Sequence, residues 1–456
     1  MRIVIIGGGK VGFTVARQLI QEGHDIVVID SDANVAERIS SALDVMSICG
    51  RGSNVDILRQ AGVGQSDLLI ACTAKDETNL ICCMFAKKLG CRNTIARVRS
   101  PEYAEQIYLM AEDIGLSMIV NPEYTAAREI FRLLEIPSVL KRDTFADGKI
   151  EIIELAPRSG DPLDGTPLFS LSKKLNCRVL VCAVQRSGKV VIPNGDAVLQ
   201  AGDKVYICAP ATSVVQLLQN AGEYGKAVRS VMLIGGSSTA EYLTRLLVKS
   251  GARVKIIEID PDKARRLAEA IPQADIVCAD GTSDSVLHSE TVTEMDAVVT
   301  LTNIDEENLI LSMYISRLGV PLVLTKVDHT DFGGMLVNEG VNRIISPKEL
   351  CAGAIIRYIR AMQNTGGSSV LALHHLVGGQ VDALEFAVTK HTRNLGKTLK
   401  NIRFQPNILI ASINRNGKIL MPGGDDTLEV GDTVVVITTA RNSFTDLNDI
   451  FADSAV

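Results

Sequence analysis

The sequence predicts an α/β protein with two doubly wound parallel sheets, each followed by a small β-rich domain of the α+β class. A glycine-rich segment near the N-terminus recurs in the second half of the chain. Short runs of Val, Ile and Leu alternate with helical segments, as in a parallel sheet covered on both faces. The 456 residues, 46% of them hydrophobic, can form several cores. We therefore expect four domains, in the order large, small, large, small.

The two large domains begin with matching segments. IVIIGGGKVGFTVARQLIQEGHDIVVIDSD (3–32) aligns with VMLIGGSSTAEYLTRLLVKSGARVKIIEID (231–260). Each predicts a strand, a tight loop, an amphipathic helix that ends at Gly23 or Gly251, and a second strand that ends on Asp30 or Glu258. This order is typical of a Rossmann-like domain. The repeat continues as DLLIACTAKDETNLICCMFAKKLG (67–90) against DAVVTLTNIDEENLILSMYISRLG (296–319).

The small domains also repeat. VLVCAVQRSGKVVIPNGDAVLQAGDKVYICA (179–209) aligns with ILIASINRNGKILMPGGDDTLEVGDTVVVIT (408–438), and Ser-Gly or Asn-Gly pairs stand where two-residue hairpin turns belong. Before each small domain, Asn121-Pro122 and Ser346-Pro347 predict a capped helix start. The expected domains are 1–122, 140–225, 229–349 and 366–453, with linkers near 222–229 and 364–369.

The first glycine loop fits the dinucleotide-binding pattern G-x-G-x-x-G. Gly7 allows a tight turn, Gly9 allows a phosphate to approach the backbone, and Gly12 allows the helix to lie close to the sheet. Asp30 can accept hydrogen bonds from both ribose hydroxyls and would repel a 2′-phosphate. The loop therefore favours NAD(H) or another adenine nucleotide over NADP(H). The expected nucleotide contacts in the first domain are Gly7, Gly8, Gly9, Lys10, Val11, Asp30, Thr73, Ala74 and Arg97.

Thr73, Ala74 and Arg97 follow strands at the carboxyl edge of the sheet, where ligands bind in such folds. Arg97 either neutralises a phosphate or pairs with a neighbouring acid. In the second copy Ser237 and Ala240 replace two glycines, so that copy is either a mononucleotide or weaker dinucleotide site or purely architectural. The corresponding residues are Gly235, Gly236, Ser237, Ser238, Thr239, Glu258, Thr302, Asn303 and Lys326.

Composition argues against several other classes of protein. Aromatic residues make up 4%, Trp is absent and the net charge is −6, which together disfavour nucleic-acid binding. No apolar run predicts a signal peptide or a membrane span. The ten cysteines show no C-x-x-C spacing, so we expect buried, reduced thiols and no metal site. The six histidines share no motif, and no catalytic residue is expected.

The order of domains and the pattern P-x-G-D…G-D in the small ones resemble a known family. The pattern occurs as Pro193, Gly195, Asp196, Gly202 and Asp203, and again as Pro422, Gly424, Asp425, Gly431 and Asp432. Together with the duplicated glycine-loop domains, it resembles tandem RCK domains, each an N-terminal KTN lobe with a C-terminal lobe. The turn after the third strand departs from the family pattern in the first domain, where Arg51 stands in place of an acid; the second domain has Asp280.

The resemblance implies a cytoplasmic regulatory subunit, peripheral on the inner membrane, that binds NAD(H) and ATP or ADP. It also implies a homotetrameric ring of eight RCK units beneath an integral-membrane, potassium-translocating subunit of the Trk type. The apolar stripe from Leu350 to Met362 predicts a helical face that serves either such assembly or packing within one unit. An NAD-dependent oxidoreductase is the alternative. A redox-sensing transcription factor is disfavoured, because the sequence has neither a helix-turn-helix pattern nor a basic patch.

Overall fold

A computed structural model describes residues 1–100, 106–107, 110–111, 113–135, 142–145, 149–221, 228–328, 343–363, 370–376, 380–439, 444 and 446–452. The chain divides into two compact units. One contains Met1–Glu135 and Val228–Ile356, and the other contains Ile136–Ala227 and Arg357–Val456. The expected domain limits at 140, 225, 366 and 453, and the linkers at 222–227 and 364–369, lie outside the described residues.

The first Rossmann-like lobe is a six-stranded parallel sheet in the order β3-β2-β1-β4-β5-β6. Its strands are β1 (Arg2–Ile6), β2 (Asp25–Asp30), β3 (Met46–Cys49), β4 (Leu68–Ala71), β5 (Asn93–Arg97) and β6 (Met118–Val120). Its helices are α1 (Lys10–Gln21), α2 (Ala33–Ala42), α3 (Val55–Gln60), α4 (Asp76–Leu89) and α5 (Pro122–Glu135). Every residue of β4 is buried, as expected for a strand covered on both faces.

The first small lobe is a five-stranded sheet in the order β10-β9-β11-β8-β7, with antiparallel neighbours. Its strands are β7 (Arg142–Phe145), β8 (Ile150–Leu155), β9 (Leu180–Arg186), β10 (Lys189–Val191) and β11 (Lys204–Pro210). Its helices are α6 (Leu168–Lys174) and α7 (Val214–Ala221).

The second Rossmann-like lobe repeats the first, with the strand order β14-β13-β12-β15-β16-β17. Its strands are β12 (Ser230–Ile234), β13 (Arg253–Glu258), β14 (Asp275–Cys278), β15 (Ala297–Thr300), β16 (Leu322–Lys326) and β17 (Ile344–Ile345). Its helices are α8 (Ser238–Lys249), α9 (Pro261–Ala270), α10 (Asp284–Ser289), α11 (Asp305–Arg317) and α12 (Pro347–Gln363).

The second small lobe repeats the first small lobe, with the order β18-β19-β22-β20-β21. Its strands are β18 (Val370–Leu376), β19 (Val381–Ala387), β20 (Ile408–Arg415), β21 (Lys418–Leu420) and β22 (Thr433–Thr439). The predicted fold class is confirmed: two doubly wound parallel sheets alternate along the chain with two antiparallel ones.

Local chemistry explains the turns. Ser187 and Gly188 have φ of 50° and 77°, and Asn416 and Gly417 have φ of 51° and 81°. Positive φ at both central residues is the type I′ geometry that matches the twist of a hairpin.

Of the two predicted helix caps, only the first is present in the structure. Asn121 accepts a hydrogen bond from the Tyr124 N–H (2.8 Å), whereas the buried Ser346 hydroxyl has no partner among the described residues.

The two Rossmann lobes share a core, because α5 packs on the second lobe. Ala126, Ala127, Ile130 and Leu134 lie in one hydrophobic cluster with residues of β12, β13, β15, β16 and α8. At the start of α5, the Tyr242 hydroxyl accepts a hydrogen bond from Asn121 Nδ2 (2.9 Å) and donates one to the Arg99 carbonyl (3.1 Å). Although the first small lobe lies between them in the sequence, the two Rossmann lobes therefore pack together in one compact unit.

The apolar stripe from Leu350 to Met362 lies on α12. Leu350 packs against the core of the second Rossmann lobe, and Ile355 is buried. For Leu350 and Ile355 the structure therefore favours packing within one unit over an assembly surface.

None of the helices among the described residues is both long and apolar enough to span a membrane.

The cysteines are free thiols, as expected, but not all are buried: Cys177 is partly exposed, and two others are exposed. Cys49 and Cys278 end strands β3 and β14 and are exposed. Each lies in a short strand at the edge of its sheet, and no strand among the described residues pairs with its outer side. The apolar sequence around both cysteines predicted burial, because it does not indicate that the strand lies at a sheet edge.

In the small lobes, the repeated G-D pair has a structural role. Arg186 donates to both oxygens of Asp203 (2.7 Å each), and the side chain of Asp203 is only 1% exposed. Arg415 and Asp432 form the same bidentate pair at 2.9 and 2.8 Å. The hydrogen bond from Arg186 lowers the pKa of Asp203 below its ordinary value, so this carboxylate stays charged in the folded protein.

We expect Asp203→Asn to lower the free energy of unfolding at pH 7 by about 2 kcal/mol, because a charge-assisted bidentate pair is lost from a buried site. The pKa of Asp203 is lower in the folded state, so its stabilisation is present above the ordinary carboxyl pKa and lost as pH falls. The difference between wild type and variant should therefore shrink below about pH 4. Urea unfolding of both proteins at a series of pH values measures this difference in unfolding free energy.

The matched control is Asp196→Asn, because Asp196 belongs to the same sequence motif but is exposed. It should leave the unfolding free energy within about 0.5 kcal/mol of wild type. Equal effects of the two substitutions would contradict the structural role of the G-D pair.

Candidate nucleotide-binding site

The glycine loop of the first lobe joins β1 to α1 and turns sharply at Gly7. Gly7 has φ of +96°, and a Cβ there would lie 2.9 Å from the Thr73 nitrogen. At Gly12 a Cβ would lie 1.9 Å from the Gly7 carbonyl oxygen, so α1 approaches the loop too closely for any side chain. These two glycines have the packing roles that the motif predicts.

Gly9 differs from both, because a Cβ at this position would meet no protein atom within 4 Å. Gly9 is the N-cap residue of α1 and has no side chain to bond the first-turn N–H groups. Uncapped amides at a helix N-terminus, together with the helix dipole, attract an anion. The loop therefore offers open space and N–H donors at the same point.

Asp30 ends β2 and holds the loop in place. The Gly8 N–H donates to Asp30 Oδ2 (2.6 Å), and the Asp32 N–H donates to Oδ1 (2.9 Å). Each carboxylate oxygen has further lone pairs for ribose hydroxyls. Asp30 therefore connects the loop to the place where a ribose is expected.

The loop after β4 is fixed by Asn79, a residue that sequence reasoning missed. Asn79 is fully buried; its Oδ1 accepts hydrogen bonds from the Thr73 N–H (2.8 Å) and hydroxyl (2.7 Å). Its Nδ2 donates to the Arg97 carbonyl (2.9 Å) and so joins the ends of β4 and β5. Asn308 makes the corresponding bonds to Thr302 and Lys326. The repeated D-E-x-N pattern was the available signal.

Arg97 pairs with an acid, the second of the two roles considered for it. Its Nη2 lies 2.9 Å from Glu123 Oε1, and the two side chains are 15% and 19% exposed. Arg97 Nε and Glu123 Oε2 are also buried but have no hydrogen-bond partner among the described residues. The pair thus retains one free donor and one free acceptor.

Gly7 and Gly9 of the loop, Asp30, Thr73 and the pair formed by Arg97 and Glu123 line a cavity of about 870 Å³, and both Rossmann lobes contribute to its wall. The first lobe provides Gly7, Gly9, Lys10, Val11, Asp30, Thr73, Ala74 and Arg97 among others. The second lobe provides Thr239, Asn303, Lys326, Asp328, Pro347 and Lys348. Gly8 does not line the cavity, and its N–H donates to Asp30.

The charge of this first cavity is strongly positive. Its wall has seven cationic side chains and three carboxylates, although the chain as a whole has a net charge of −6. The cations are Lys10, Arg51, Lys75, Arg97, Arg99, Lys326 and Lys348, and the acids are Asp30, Glu123 and Asp328. Such a wall favours a ligand with several negative charges.

The glycine loop of the second lobe resembles the first in shape but not in chemistry. Gly235 has φ of +101°, and the buried Glu258 accepts hydrogen bonds from the N–H groups of Gly236 (2.6 Å) and Asp260 (2.8 Å). Ser237, however, is the N-cap of α8, and its hydroxyl accepts a hydrogen bond from the Ala240 N–H (3.4 Å). The protein itself therefore satisfies a donor that the first lobe leaves open.

A second cavity of about 320 Å³ lies at this loop. Of the predicted second-lobe residues it includes Gly235, Gly236, Ser237, Glu258, Thr302 and Asn303. Its charged wall residues are one cation, Lys263, and three acids, Glu258, Asp280 and Glu307. Hydrogen bonds from Thr282 lower the pKa of Asp280, which keeps that carboxylate charged. The wall is therefore acidic, the reverse of the first cavity.

The remaining predicted residues of the second lobe lie elsewhere. Thr239 and Lys326 line the first cavity and not the second, while Ser238 lines neither. Asn303 reaches both. The alignment with the first lobe placed Lys326 in a site of its own lobe, because it could not include the packing between lobes.

Comparison with known protein families identifies all four lobes. Residues 3–122 and 231–347 match the TrkA-N domain, and residues 152–221 and 383–447 match the TrkA-C domain. The chain belongs to the TrkA family. It is 33% identical over 437 residues to a Trk system potassium uptake protein TrkA homolog of Archaeoglobus fulgidus, covering 96% of this chain and 97% of the relative.

Further relatives match over nearly their whole lengths. TrkA homolog 1 of Methanosarcina mazei is 31% identical over 448 residues, covering 96% of this chain and 98% of the relative. TrkA of Halomonas elongata is 29% identical over 457 residues, covering 99% and 98%. Both are named Trk system potassium uptake proteins.

Solved structures share the fold at low sequence identity. The GsuK RCK domain has a TM-score of 0.62 and 17% identity, covering 96% of this chain and 92% of that one. The GsuK channel bound to NAD has a TM-score of 0.63 and 17% identity, covering 96% and 77%. These similarities support the tandem RCK architecture that the sequence indicated.

The glycine loop allows packing and ligand effects to be separated. Gly7→Ala should destabilise the chain by about 1–3 kcal/mol, because it forces a side chain into the left-handed region against the Thr73 backbone. Gly9→Ala should change the unfolding free energy by less than about 1 kcal/mol. It should nevertheless weaken nucleotide binding, because the added methyl occupies the open space at the α1 N-terminus.

Urea unfolding and calorimetric titration with NADH measure the two effects. Tight NADH binding by a folded Gly9→Ala protein would show that the phosphate does not approach this part of the loop.

Proposed function

We propose that this chain is a nucleotide-sensing regulatory subunit of a Trk-type potassium uptake system, and that the first cavity is its principal nucleotide site. The observation that carries this proposal is the positive cavity at an uncapped helix N-terminus, beside an acid placed to receive a ribose. Membership of the TrkA family links such a site to potassium uptake.

NAD(H) and the adenine nucleotides ADP and ATP are the proposed ligands. Their pyrophosphate groups suit the cationic wall and the N–H donors of α1. Asp30 favours a free 2′-hydroxyl and disfavours the 2′-phosphate of NADP(H). Solved relatives with the same fold are described as the GsuK channel bound to NAD and GsuK bound to ADP, which supports this class of ligand.

The proposed first-site contacts are Gly7 to Val11, Asp30, Thr73, Ala74 and Arg97. Within this set Gly8 acts through Asp30. The second cavity keeps an acid, Glu258, that can receive ribose hydroxyls, but its acidic wall and capped helix disfavour a pyrophosphate. We propose that it binds a different or weaker ligand than the first cavity, through Gly235, Gly236, Ser237, Glu258, Thr302 and Asn303.

The chain is proposed to bind nucleotide without converting it. Among the described residues that line the first cavity, none is a histidine or a tyrosine, and the lysines that line it are proposed to attract the phosphates of the ligand and not to exchange protons with a substrate. Cys72 lines the cavity, but burial raises the pKa of its thiol to about 12, so it is protonated at neutral pH. The alternative, an NAD-dependent oxidoreductase, predicts steady oxidation of NADH by the purified chain with a carbonyl substrate.

We further propose that the chain acts in the cytoplasm as a peripheral homo-oligomer, a tetrameric ring of eight RCK units. Its partner is the potassium-translocating membrane subunit. A ligand can shift such a ring between two states only by binding one of them more tightly. Several sites in a ring add their effects, and about 1.4 kcal/mol corresponds to each tenfold preference.

A pair of matched variants tests the site. Asp30→Asn should abolish tight NADH and ADP binding, because it removes the charge that receives the ribose and orients the loop. Glu258→Gln makes the same chemical change in the second lobe and should retain tight binding. Calorimetric titration of the full-length chain provides the affinities, and thermal unfolding checks that both variants are folded.

The same variants test the function in cells that depend on this chain for potassium uptake. Asp30→Asn should remove the response of uptake to nucleotide while the protein remains oligomeric. An Asp30→Asn protein that binds NADH and ADP as wild type does would refute the proposed site.

A further inference from the structure

The two Rossmann lobes differ in charge at one pair of corresponding positions. In the first lobe, Arg97 ends β5 and is paired with Glu123 at the start of α5. In the second lobe the corresponding positions, at the end of β16 and the start of α12, hold Lys326 and Lys348. A cation and an acid have thus become two cations, and all four residues line the first cavity.

Lys326 is unusual because it is buried without a neutralising acid. Its residue is 9% exposed, and no carboxylate lies within 4 Å of its ammonium group among the described residues. A buried charge without a partner is unfavourable. Lys348 also forms no ion pair among the described residues, so the wall that the second lobe contributes has two cations free to meet an anion.

Other charges near this wall already neutralise one another. Lys10 lies 2.8 Å from Asp328. Burial opposes the charged form of Lys10, but the hydrogen bond and charge of Asp328 raise its pKa overall. Arg97 is likewise paired with Glu123. Lys326 and Lys348 therefore remain as the uncompensated cations that the second lobe brings to the cavity.

From this arrangement we infer that Lys326 and Lys348 bind the phosphate groups of the nucleotide held on the first lobe's glycine loop. The inference rests on the proposed function and adds that one ligand is bound by both lobes. The second lobe then serves the first site directly, even though its own glycine loop has lost two glycines. Occupancy of the cavity couples the two lobes, because the phosphates neutralise charge on one and accept N–H bonds from the other.

If the two lysines bind phosphate, they should contribute to the affinity for ADP but not to the affinity for adenosine, which has no phosphate. Lys326→Gln and Lys348→Gln should each weaken ADP binding to the full-length chain about tenfold, as expected for loss of one charge-assisted contact. Neither should change the weaker affinity for adenosine by more than about twofold. Lys326→Arg, which keeps the charge, should restore ADP binding to within about threefold of wild type.

The control for a general loss of positive charge is Lys249→Gln. Lys249 is an exposed residue at the end of α8 in the same lobe and lines neither cavity. It should leave the ADP affinity unchanged. Thermal unfolding midpoints of all variants, measured without nucleotide, show whether each protein is folded.

The outcomes separate the two proposals. If Asp30→Asn abolishes ADP binding but Lys326→Gln and Lys348→Gln bind ADP as wild type does, the inference is wrong and the first cavity remains the site. Equal losses for ADP and adenosine would also overturn it, because the lysines would then act on the shape of the cavity and not on phosphate. If Asp30→Asn leaves ADP binding unchanged, the proposed function itself fails.

Discussion

Helix α5 follows the first Rossmann lobe in the sequence but buries its apolar face in the core of the second. Ala126, Ala127, Ile130 and Leu134 are at most 2% exposed in that shared cluster. A helix with such a face is stable only against a partner, because packing provides most of the stability of a helix in a protein. The two lobes therefore form one compact unit, and this contact helps to hold them together.

The first cavity is a consequence of that packing. The same cavity is lined by Pro122 and Glu123, at the start of α5, and by Pro347 and Lys348, at the start of α12. On the α12 side, Glu349 accepts a hydrogen bond from Gln18 Nε2 (3.0 Å) on α1. A duplicated domain thus produces one large, cationic site and one small, acidic one. The two copies differ in charge at positions that line the cavities. Arg51 corresponds to Asp280, and Glu123 corresponds to Lys348.

Much of the fold could be predicted from the sequence, because each element carries its own local signal. The glycine loop, the alternation of apolar strands and helices, and the Ser-Gly and Asn-Gly turns depend on neighbouring residues only. The acids Asp30 and Glu258 were also found in this way, since both end a strand that follows a glycine loop. Asn79 was missed, although its D-E-x-N pattern recurs around Asn308.

The placement of Lys326 could not be predicted from local sequence. Alignment of the copies gives it the position of Arg97 in its own lobe, but the structure places it in the cavity shared by both lobes. This depends on how α5 and α12 pack across the interface between lobes, which is a long-range property. The exposure of Cys49 and Cys278 has the same origin, because an apolar run does not indicate whether a strand lies at a sheet edge.

The central claim is that the cavity between the Rossmann lobes holds the nucleotide. An experimental structure of the full-length chain with bound NADH tests it most directly. We predict density for the dinucleotide in the first cavity, with a ribose at Asp30, the pyrophosphate over Gly9 and Lys326 within hydrogen-bonding distance of a phosphate oxygen. Density at Glu258 in the second cavity, with the first cavity empty, would contradict the account.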